Sequence, residues 1–355
     1  MSKQKLVDFL LTHNQKQSEE FTAPDAVLAR MQYRAKHPTE IAALKCMDGR
    51  LHLPLMTEIP VGIIQPFRNI GGKFDLGWPF FGLLMKEWID YAVSRGRDAI
   101  VLVSYHFSKS DEHLGCKGFG YDTEAAKKAT EHLRDQFDHI FGERHAVVYP
   151  IMIGIETDED ALILHGANSK EEYRLADLLS DTDAETLRRD LEKFFPDMKA
   201  RILADLIPLL LGNLRHIAEV RRTKRPVSDI DHREQILGIG RGFDWLHLHN
   251  KALLVGPFSY DLTDPIAKAA GILLDNMNKG RIAKEDGVVL MSSAVYRESV
   301  GIERRLANEK AVSLAQLAVD VIKTDVPDLL PHVTVLAGTI NLATRRFEKI
   351  SFGGE

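Results

Sequence analysis

The chain has 355 residues, of which 45% are hydrophobic and 27% are charged, and its formal net charge is −5. These values are typical of a folded protein of two or three domains, and they exclude a disordered, collagenous or disulfide-scaffold chain. The mildly acidic balance also gives no support for a nucleic-acid partner, because phosphate binding needs an excess of basic side chains.

The sequence shows no sign of a secretory signal or a membrane segment. Its first residues lack the apolar core of a signal peptide, and no later stretch has about 18 uninterrupted apolar residues. We therefore expect a cytoplasmic location and no membrane partner. Only two cysteines occur, Cys46 and Cys116. In a reducing compartment such a pair binds a metal or is simply buried more often than it forms a disulfide.

The first half of the chain alternates between amphipathic helices and short apolar runs that are typical of buried strands. Helices are predicted at 2–13, 24–36, 79–95 and 123–141, and strands at 41–46, 99–103 and 146–155. A helix between the first two strands predicts a crossover that makes these strands parallel. The predicted fold class is therefore α/β.

The second half repeats this order after a stretch at 170–222 that is predicted to be helical without any strand. The elements predicted there are an apolar run at 252–255, helices at 265–277 and 303–322, and strands at 287–291 and 332–337. The repeated order indicates an internal duplication. Since both cysteines lie in the first half, a metal site built from them would have no counterpart in the second copy.

Three reactive side chains follow the first predicted strand at alternate positions, as Cys46, Asp48 and Arg50. In an extended conformation the three point to one side, because strand side chains alternate with a period of two. Asp48 and Arg50 can then lie beside Cys46. A buried cysteine followed by an ordinary Asp-Gly turn explains the same residues equally well.

A second group of such residues follows the next strand, where His106 ends the run and the loop after it carries His113 and Cys116. Open α/β sheets place their sites outside the carboxyl ends of the strands, where these groups fall. Two cysteines and one histidine match a catalytic zinc site, which has three protein ligands and an open fourth position. Cys116 also lies shortly before the helix at 123–141, whose amide groups would help to hold a thiolate. The alternative is that the two cysteines do not share a metal site.

Three motifs occur along this part of the chain in a specific order. They are Cys46-x-Asp48-x-Arg50, the stretch FRNIGG at 67–72, and a strand ending in His106 before Cys116-x-Gly118. In order and approximate spacing they resemble the β-class carbonic anhydrases. The stretches 105–107, 240–246 and 255–258 make the carboxysome shell branch of that class the most similar. The likeness spans most of the chain.

The resemblance implies a zinc-dependent enzyme that hydrates carbon dioxide reversibly to bicarbonate by attack of zinc-bound hydroxide. Cys46, His106 and Cys116 would bind Zn²⁺. Asp48 would accept a hydrogen bond from the hydroxide, and Arg50 would hold Asp48 away from the metal. The implied fold is a mixed or parallel sheet flanked by helices, as in β-carbonic anhydrases, internally duplicated with a metal-free second copy.

The same resemblance organises the chain into three segments. We predict an N-terminal helical segment at 1–36, a zinc-binding catalytic domain at 37–229 with a helical extension at 166–229, and a degenerate second domain at 230–355. One site per chain would result, in a homodimer or a higher homo-oligomer. The expected location is cytoplasmic; the carboxysome is the alternative, but the short N-terminal portion shows no obvious arm for docking into its shell.

The sequence leaves open which histidine binds the metal. His113 and Cys116 have the His-x-x-Cys spacing of most β-class enzymes, whereas His106 lies at a strand end, which holds a ligand rigidly. We favour His106 and expect His113 to be a loop residue near the pocket. The histidines expected to be ordinary surface residues include His132, His139 and His165.

The resemblance also assigns residues around the site. Arg68, Asn69, Gly71 and Gly72 would form a turn that lines it, with the glycines permitting close backbone approach. Gln65 and Phe67 would be walls of the pocket.

Two other functions fit the same motifs. One is hydrolysis of carbon disulfide or carbonyl sulfide on the same scaffold. The other is a catalytically silent, zinc-stabilised scaffold or regulatory protein.

Overall fold

The structure, a computed structural model, describes residues 3–142, 147–226, 229–248, 250–298 and 300–352. The helices are α1 (Lys3–Thr22), α2 (Pro24–Lys36), α3 (Leu53–Met56), α4 (Pro79–Ser94), α5 (Thr123–Phe137), α6 (Ala184–Phe194), α7 (Ala200–Thr223), α8 (Thr263–Asn278) and α9 (Ile302–Asp325). The strands are β1 (Glu40–Cys46), β2 (Ile64–Asn69), β3 (Ala99–Phe107), β4 (Val148–Glu156), β5 (Ala161–His165), β6 (Glu172–Arg174), β7 (Ile236–Gly240), β8 (Ala252–Val255), β9 (Val288–Tyr296), β10 (Val333–Asn341) and β11 (Phe347–Lys349). The fold is mixed α/β, with two sheets flanked by helices.

The chain forms two compact units, each built around one of the sheets. The first-sheet unit comprises Leu28–Cys46 and Leu51–Ile230. The second-sheet unit comprises Met1–Val27, Met47–Arg50 and Asp231–Glu355. The second-sheet unit is therefore assembled from three separate stretches of the chain.

The first sheet has the strand order β2-β1-β3-β4-β5-β6. Its first four strands are parallel, and β5 and β6 are added antiparallel. β1 and β3 are almost entirely buried, which agrees with their continuous apolar sequences, because parallel strands are covered on both faces. In the crossover between them, α4 begins at Pro79 and buries Phe81, Met85, Ile89 and Ala92 along one face.

The second sheet has the order β8-β7-β9-β10-β11. Its first four strands are parallel and β11 is antiparallel. The order and the strand directions are the same as those of the first five strands of the first sheet.

Helix α1 belongs to the second-sheet unit although it begins the chain. Its residues Leu6, Val7 and Leu10 are buried in the same apolar cluster as Ile236 and Met291. Polar side chains on the helix fix the contact further. The Asn14 amide donates to the carbonyl of Arg345 over 3.0 Å and accepts from the amide of Phe347 over 2.7 Å.

The strands and helices predicted from apolar periodicity are present, with shifted ends. The predicted helix at 2–13 and the predicted strand at 146–155 each begin outside the described residues; the helix extends to Thr22, and the strand is described over Val148–Glu156. The prediction of no strand within 170–222 is wrong, because β6 lies there. The sequence also did not predict β2, β5, β7 or β11. Within the described part of the chain, no helix combines the length and apolarity needed to cross a bilayer.

Candidate metal centre

Two neighbouring parallel strands place a cysteine and a histidine at the carboxyl edge of the first sheet. Cys46 is the last residue of β1, and His106 is the last but one of β3. The strands are paired through Leu44 and Val103, and the Ser104 hydroxyl donates to the Leu44 carbonyl over 2.9 Å. Both side chains are buried, with exposed fractions of 5% for Cys46 and 2% for His106.

The loop after β3 brings a second cysteine to the same place. Cys116 is 5% exposed and comes directly before a short 3-10 helix at Lys117–Phe119. At the start of α5, the Asp122 side chain accepts a hydrogen bond from the Ala125 amide. Asp122 is therefore the group that caps α5.

Among the described residues, Cys46, His106 and Cys116 form a group whose potential ligand atoms all lie within 4.8 Å of one another. The two sulfur atoms are 3.9 Å apart, so the cysteines are not joined by a disulfide. Two thiolates bound to one tetrahedral zinc ion, at about 2.3 Å each, would be about 3.8 Å apart. The observed separation therefore fits two thiolate ligands of one ion.

The surroundings of His106 provide a second test of the fit. Neither ring nitrogen of this buried side chain has a hydrogen-bond partner among the described residues. An unpaired buried polar atom is costly, at about 1–3 kcal/mol, so natural structures seldom leave one without a function. A metal ion bound to one nitrogen would satisfy it. The residues present therefore fit a metal with two sulfur ligands and one nitrogen ligand, a donor set typical of zinc.

The structure does not bring His113 into this group. Its side chain is 70% exposed, on the 3-10 turn Glu112–Leu114, and its Nδ1 lies 3.2 Å from the carboxylate of Asp111. Its ring is tilted against the ring of Tyr121, with centroids 5.2 Å apart. The choice of His106 as the zinc ligand stays a prediction, supported by this geometry.

Asp48 and Arg50 form a buried ion pair within the second-sheet unit. The Arg50 Nη2 donates to Asp48 Oδ2 over 2.6 Å, and its Nε lies 3.1 Å from both carboxylate oxygens. The Arg50 amide donates to Oδ1 over 2.9 Å. The segment is held on β8, since Gly49 donates to the Ala252 carbonyl and Leu254 donates to the Met47 carbonyl. The carboxylate therefore has a fixed orientation.

A comparison with known proteins bears on this site. Residues 31–205 match the family model of the carboxysome shell carbonic anhydrase, catalytic domain, and this range contains all three potential ligands. This segment is similar to the catalytic domain of the carboxysome shell carbonic anhydrases. The resemblance identified from the motifs is confirmed for this part of the chain.

Curated relatives with the name carboxysome shell carbonic anhydrase are similar over the same share of the chain. The protein of Hydrogenovibrio crunogenus is 27% identical over 245 residues, which is 58% of this chain and 45% of the relative. That of Prochlorococcus marinus subsp. pastoris is 26% identical over 236 residues, 58% of this chain and 46% of the relative. The chain thus spans about half the length of the curated relatives it matches.

Among solved structures, the β-carbonic anhydrase CcaA is similar with a TM-score of 0.30 and 16% sequence identity. The match covers 48% of this chain and 98% of that chain.

Within residues 31–205, the turn after β2 packs closely on the backbone of Cys46 and Ser104. Gly71 and Gly72 have φ angles of 63° and 65°. A Cβ on Gly72 would lie 2.9 Å from the Ser104 carbonyl oxygen and 3.4 Å from the Cys46 nitrogen. A Cβ on Gly118, in the loop after Cys116, would lie 2.6 Å from the backbone of Gly71. The predicted close backbone approach at these glycines is therefore present.

We expect Gly72→Ala to destabilise the protein by about 2–3 kcal/mol, because it combines a left-handed backbone conformation with a clash against the Ser104 carbonyl. Gly96→Ala is the matched control, since Gly96 has a φ of 66° but no atom within 4 Å of the added Cβ. The control should cost about 1 kcal/mol. Urea unfolding measures both values, and equal losses would contradict the close approach.

The arginine and asparagine of the same motif also lie beside Cys46. Arg68 is buried and donates to the Leu51 carbonyl over 2.9 Å and to the Cys46 carbonyl over 3.4 Å. Asn69 is the β2 partner of Cys46 in the sheet register. Its Oδ1 is buried and has no hydrogen-bond partner among the described residues. Phe67 packs edge-on against Phe81.

Asp158 fixes the loop of the family segment that leads to Cys116, and sequence reasoning missed it. One carboxylate oxygen accepts the hydroxyls of Ser108 and Ser110 over 2.7 and 3.0 Å. The other accepts the amides of Lys109 and Ser110 over 2.9 and 2.8 Å. Asp158 is about fifty residues away in sequence, so no local pattern indicates these contacts.

Asp158→Ala should weaken zinc binding by about 10- to 100-fold, the range typical of residues that orient a ligand. It should also speed tryptic cleavage after Lys109, because the loop loses four hydrogen bonds to one carboxylate. Asp183→Ala serves as the control, since Asp183 caps α6. Competition with a chromogenic chelator measures zinc affinity. Unchanged affinity in Asp158→Ala would show that the loop holds Cys116 without this carboxylate.

His165 corrects one expectation about the histidines of this segment. It was predicted to be a surface residue, but it is 2% exposed, at the end of β5. Its Nδ1 lies 2.9 Å from the Ser169 carbonyl, an acceptor only, so Nδ1 carries the proton. Its Nε2 therefore accepts from the hydroxyl of Tyr105 over 3.0 Å. Burial lowers the pKa of His165.

Glu156 is a buried carboxylic acid at the end of β4. Its oxygens accept the amides of Asp158 and Glu159 over 2.9 and 3.2 Å. Burial raises its pKa from a usual 4.5 to about 7. Between these two values the folded protein holds a proton that the unfolded chain releases. The contribution of Glu156 to stability is therefore present at low pH and is lost as the pH rises towards 7.

We expect Glu156→Gln to gain stability relative to the wild type as the pH is raised from 5 to 8, because the neutral amide avoids the buried charge. Urea midpoints of both proteins at the two pH values test this. Glu192→Gln, at an exposed position on α6, should follow the wild type at both. A constant difference between Glu156→Gln and the wild type would show that Glu156 titrates normally.

Proposed function

We propose that this protein is a zinc-dependent carbonic anhydrase that catalyses the reversible hydration of carbon dioxide to bicarbonate. The observation that carries the proposal is the buried group of Cys46, His106 and Cys116, with both His106 nitrogens unpaired among the described residues. The match of residues 31–205 to the carboxysome shell carbonic anhydrase catalytic domain supports the choice of reaction.

In this proposal Cys46 and Cys116 hold zinc through their thiolates and His106 through one ring nitrogen, which leaves a fourth position for water or substrate. When bound there, zinc supplies the Lewis acidity that makes a water molecule acidic near neutral pH. The protein contributes rigidity, because two of the ligands stand on paired strands and the loop of the third is hydrogen-bonded to Asp158. It also excludes bulk water, since all three side chains are buried.

We assign Asp48 and Arg50 to catalysis. Asp48 follows the ligand Cys46 by two positions in the sequence, and its carboxylate is oriented by Arg50. A fixed carboxylate can accept a hydrogen bond from the attacking water and hold its lone pair towards the carbon of the substrate. Arg50 restrains the carboxylate and would keep it from binding a zinc ion held by the two cysteines and His106.

The second half of the chain is a degenerate copy of the first in this proposal. The shared strand order of the two sheets, with a final antiparallel strand in corresponding positions, supports a duplication. The second half contains no cysteine, so it would lack the metal. We retain the division into 1–36, 37–229 and 230–355, with one zinc per chain.

Stopped-flow carbon dioxide hydration with a pH indicator, on protein with quantified zinc, tests this function. We expect hydration that requires about one zinc per chain. The same protein is assayed for sulfide release from carbon disulfide and carbonyl sulfide, where we expect no comparable rate. If zinc binds but carbon dioxide is not hydrated between pH 7 and 9, the proposal fails. Sulfide release would then indicate a hydrolase, and its absence would indicate a zinc-stabilised scaffold.

A further inference from the structure

The first-sheet unit contains a cavity that takes no part in the proposed carbonic anhydrase reaction. Its volume is about 370 Å³, within the range of small-molecule sites. It is formed where the end of α2 meets helices α6 and α7. The residues that line it are Lys36, His37, Ala184, Arg188, Ala204, Ile207, Pro208, Leu211 and Arg215.

The apolar part of the cavity comes mainly from one face of α7. Ala204, Ile207, Pro208 and Leu211 follow one another at helical spacing, so their side chains line a continuous wall. Pro208 lies inside the helix and has no N–H group, so the Ala204 carbonyl lacks its normal helical donor. An apolar group of a ligand would be covered by this wall.

The polar part of the lining is positively charged. Lys36, Arg188 and Arg215 come from three different helices, and no carboxylate is among the lining residues. Arg215 is paired with Glu58 over 2.6 Å, and Arg188 is 3.8 Å from Glu185. Lys36 has no ion-pair partner among the described residues. The cation Lys36 beside an apolar wall, with two arginines close by, favours an anion that carries an apolar group.

His37 is held in a fixed orientation at the same cavity. Its Nδ1 lies 3.1 Å from the buried carboxylate of Asp205, which also accepts the amide and the hydroxyl of Thr39. With Nδ1 occupied in this way, Nε2 is the ring nitrogen available to a ligand. The cavity therefore offers a preoriented imidazole together with Lys36 and with two arginines that each lie beside a glutamate.

We propose that this cavity binds a small organic carboxylate, with its anionic group among Lys36, Arg188 and Arg215 and its hydrocarbon part against α7. Arginine suits this role because its planar group pairs with a carboxylate through two parallel hydrogen bonds. The proposal does not depend on the carbonic anhydrase activity, since it concerns binding to residues outside the metal centre.

Isothermal titration calorimetry with sodium hexanoate tests the proposal, at constant ionic strength and on zinc-loaded full-length protein. We expect a Kd on the order of 1 mM, typical of a ligand of this size. Acetate has the charge without the chain, and hexan-1-ol has the chain without the charge. Each should bind at least about 10-fold more weakly than hexanoate, because acetate lacks the hydrocarbon chain and hexan-1-ol lacks the carboxylate.

Two test variants and one control variant show whether hexanoate binds in this cavity. Lys36→Gln should weaken hexanoate binding by about 10-fold, whereas Lys193→Gln should leave it unchanged, because Lys193 is an exposed α6 residue outside the lining. Leu211→Trp should abolish binding by filling the cavity, with retained zinc content as evidence of folding. Equal binding of acetate and hexanoate, or equal effects of the two lysine variants, would overturn the proposal.

Discussion

His106→Ala should lose bound zinc and at least about 100-fold of carbon dioxide hydration, whereas His113→Ala should keep both. Changes to groups that only orient a metal ligand already cost about 10- to 100-fold, so loss of a ligand should exceed that range. The His106 ring is 2% exposed beside two thiols, while the His113 side chain is 70% exposed on a loop. His113→Ala is therefore the matched control for removing an imidazole.

Zinc content by atomic absorption and stopped-flow hydration measure the two effects. Cobalt replacement provides a readout independent of rate, because the visible absorption of Co²⁺ reports its ligands. We expect the spectrum of His113→Ala to match that of the wild type. If His113→Ala loses zinc and His106→Ala retains it, the ligand assignment is wrong and the His-x-x-Cys spacing is the better guide.

Arg50→Gln should destabilise the protein by about 3–5 kcal/mol, because it leaves the carboxylate of Asp48 without its buried cationic partner. The side chains of Arg50 and Asp48 are only 3% and 6% exposed, so water cannot replace the lost interaction. Arg305→Gln is the control. Its ion pair with Glu309 is 80% and 59% exposed and should contribute less than about 1 kcal/mol.

Urea unfolding of the two variants and of the double variant Asp48→Asn/Arg50→Gln separates the causes. We expect the double variant to be more stable than Arg50→Gln, because it removes the unpaired charge as well. If the double variant is less stable than Arg50→Gln, the loss comes from packing of the arginine side chain.

Cys46 and His106 could be found from the sequence because each lies next to a strong local signal. Cys46 and His106 end continuous apolar runs, which identify buried parallel strands, and sites form at the carboxyl ends of such strands. Strand β2 gives no such signal, since it contains Pro66 and ends in the polar pair Arg68 and Asn69.

Other errors of the sequence-based prediction also arise where the local sequence carries no clear signal. His165 was expected at the surface because β5 is a run of five residues, too short for periodicity to distinguish a strand from a helix. Strands β6 and β11 have three residues each. The contacts of Asp158 with the loop at 108–110 join residues far apart in the sequence, and only the folded chain brings them together.

The placement of α1 in the second-sheet unit has a consequence for synthesis on the ribosome. Leu6, Val7 and Leu10 are synthesised well before the strands of the second sheet against which they are buried, and Asn14 is paired with the backbone at Phe347. At a synthesis rate of about 5–20 residues per second, roughly 20–60 s pass before the partners of these side chains have been made. Throughout that interval these apolar side chains lack their native partners, and exposed apolar surface of this kind favours aggregation of a nascent chain.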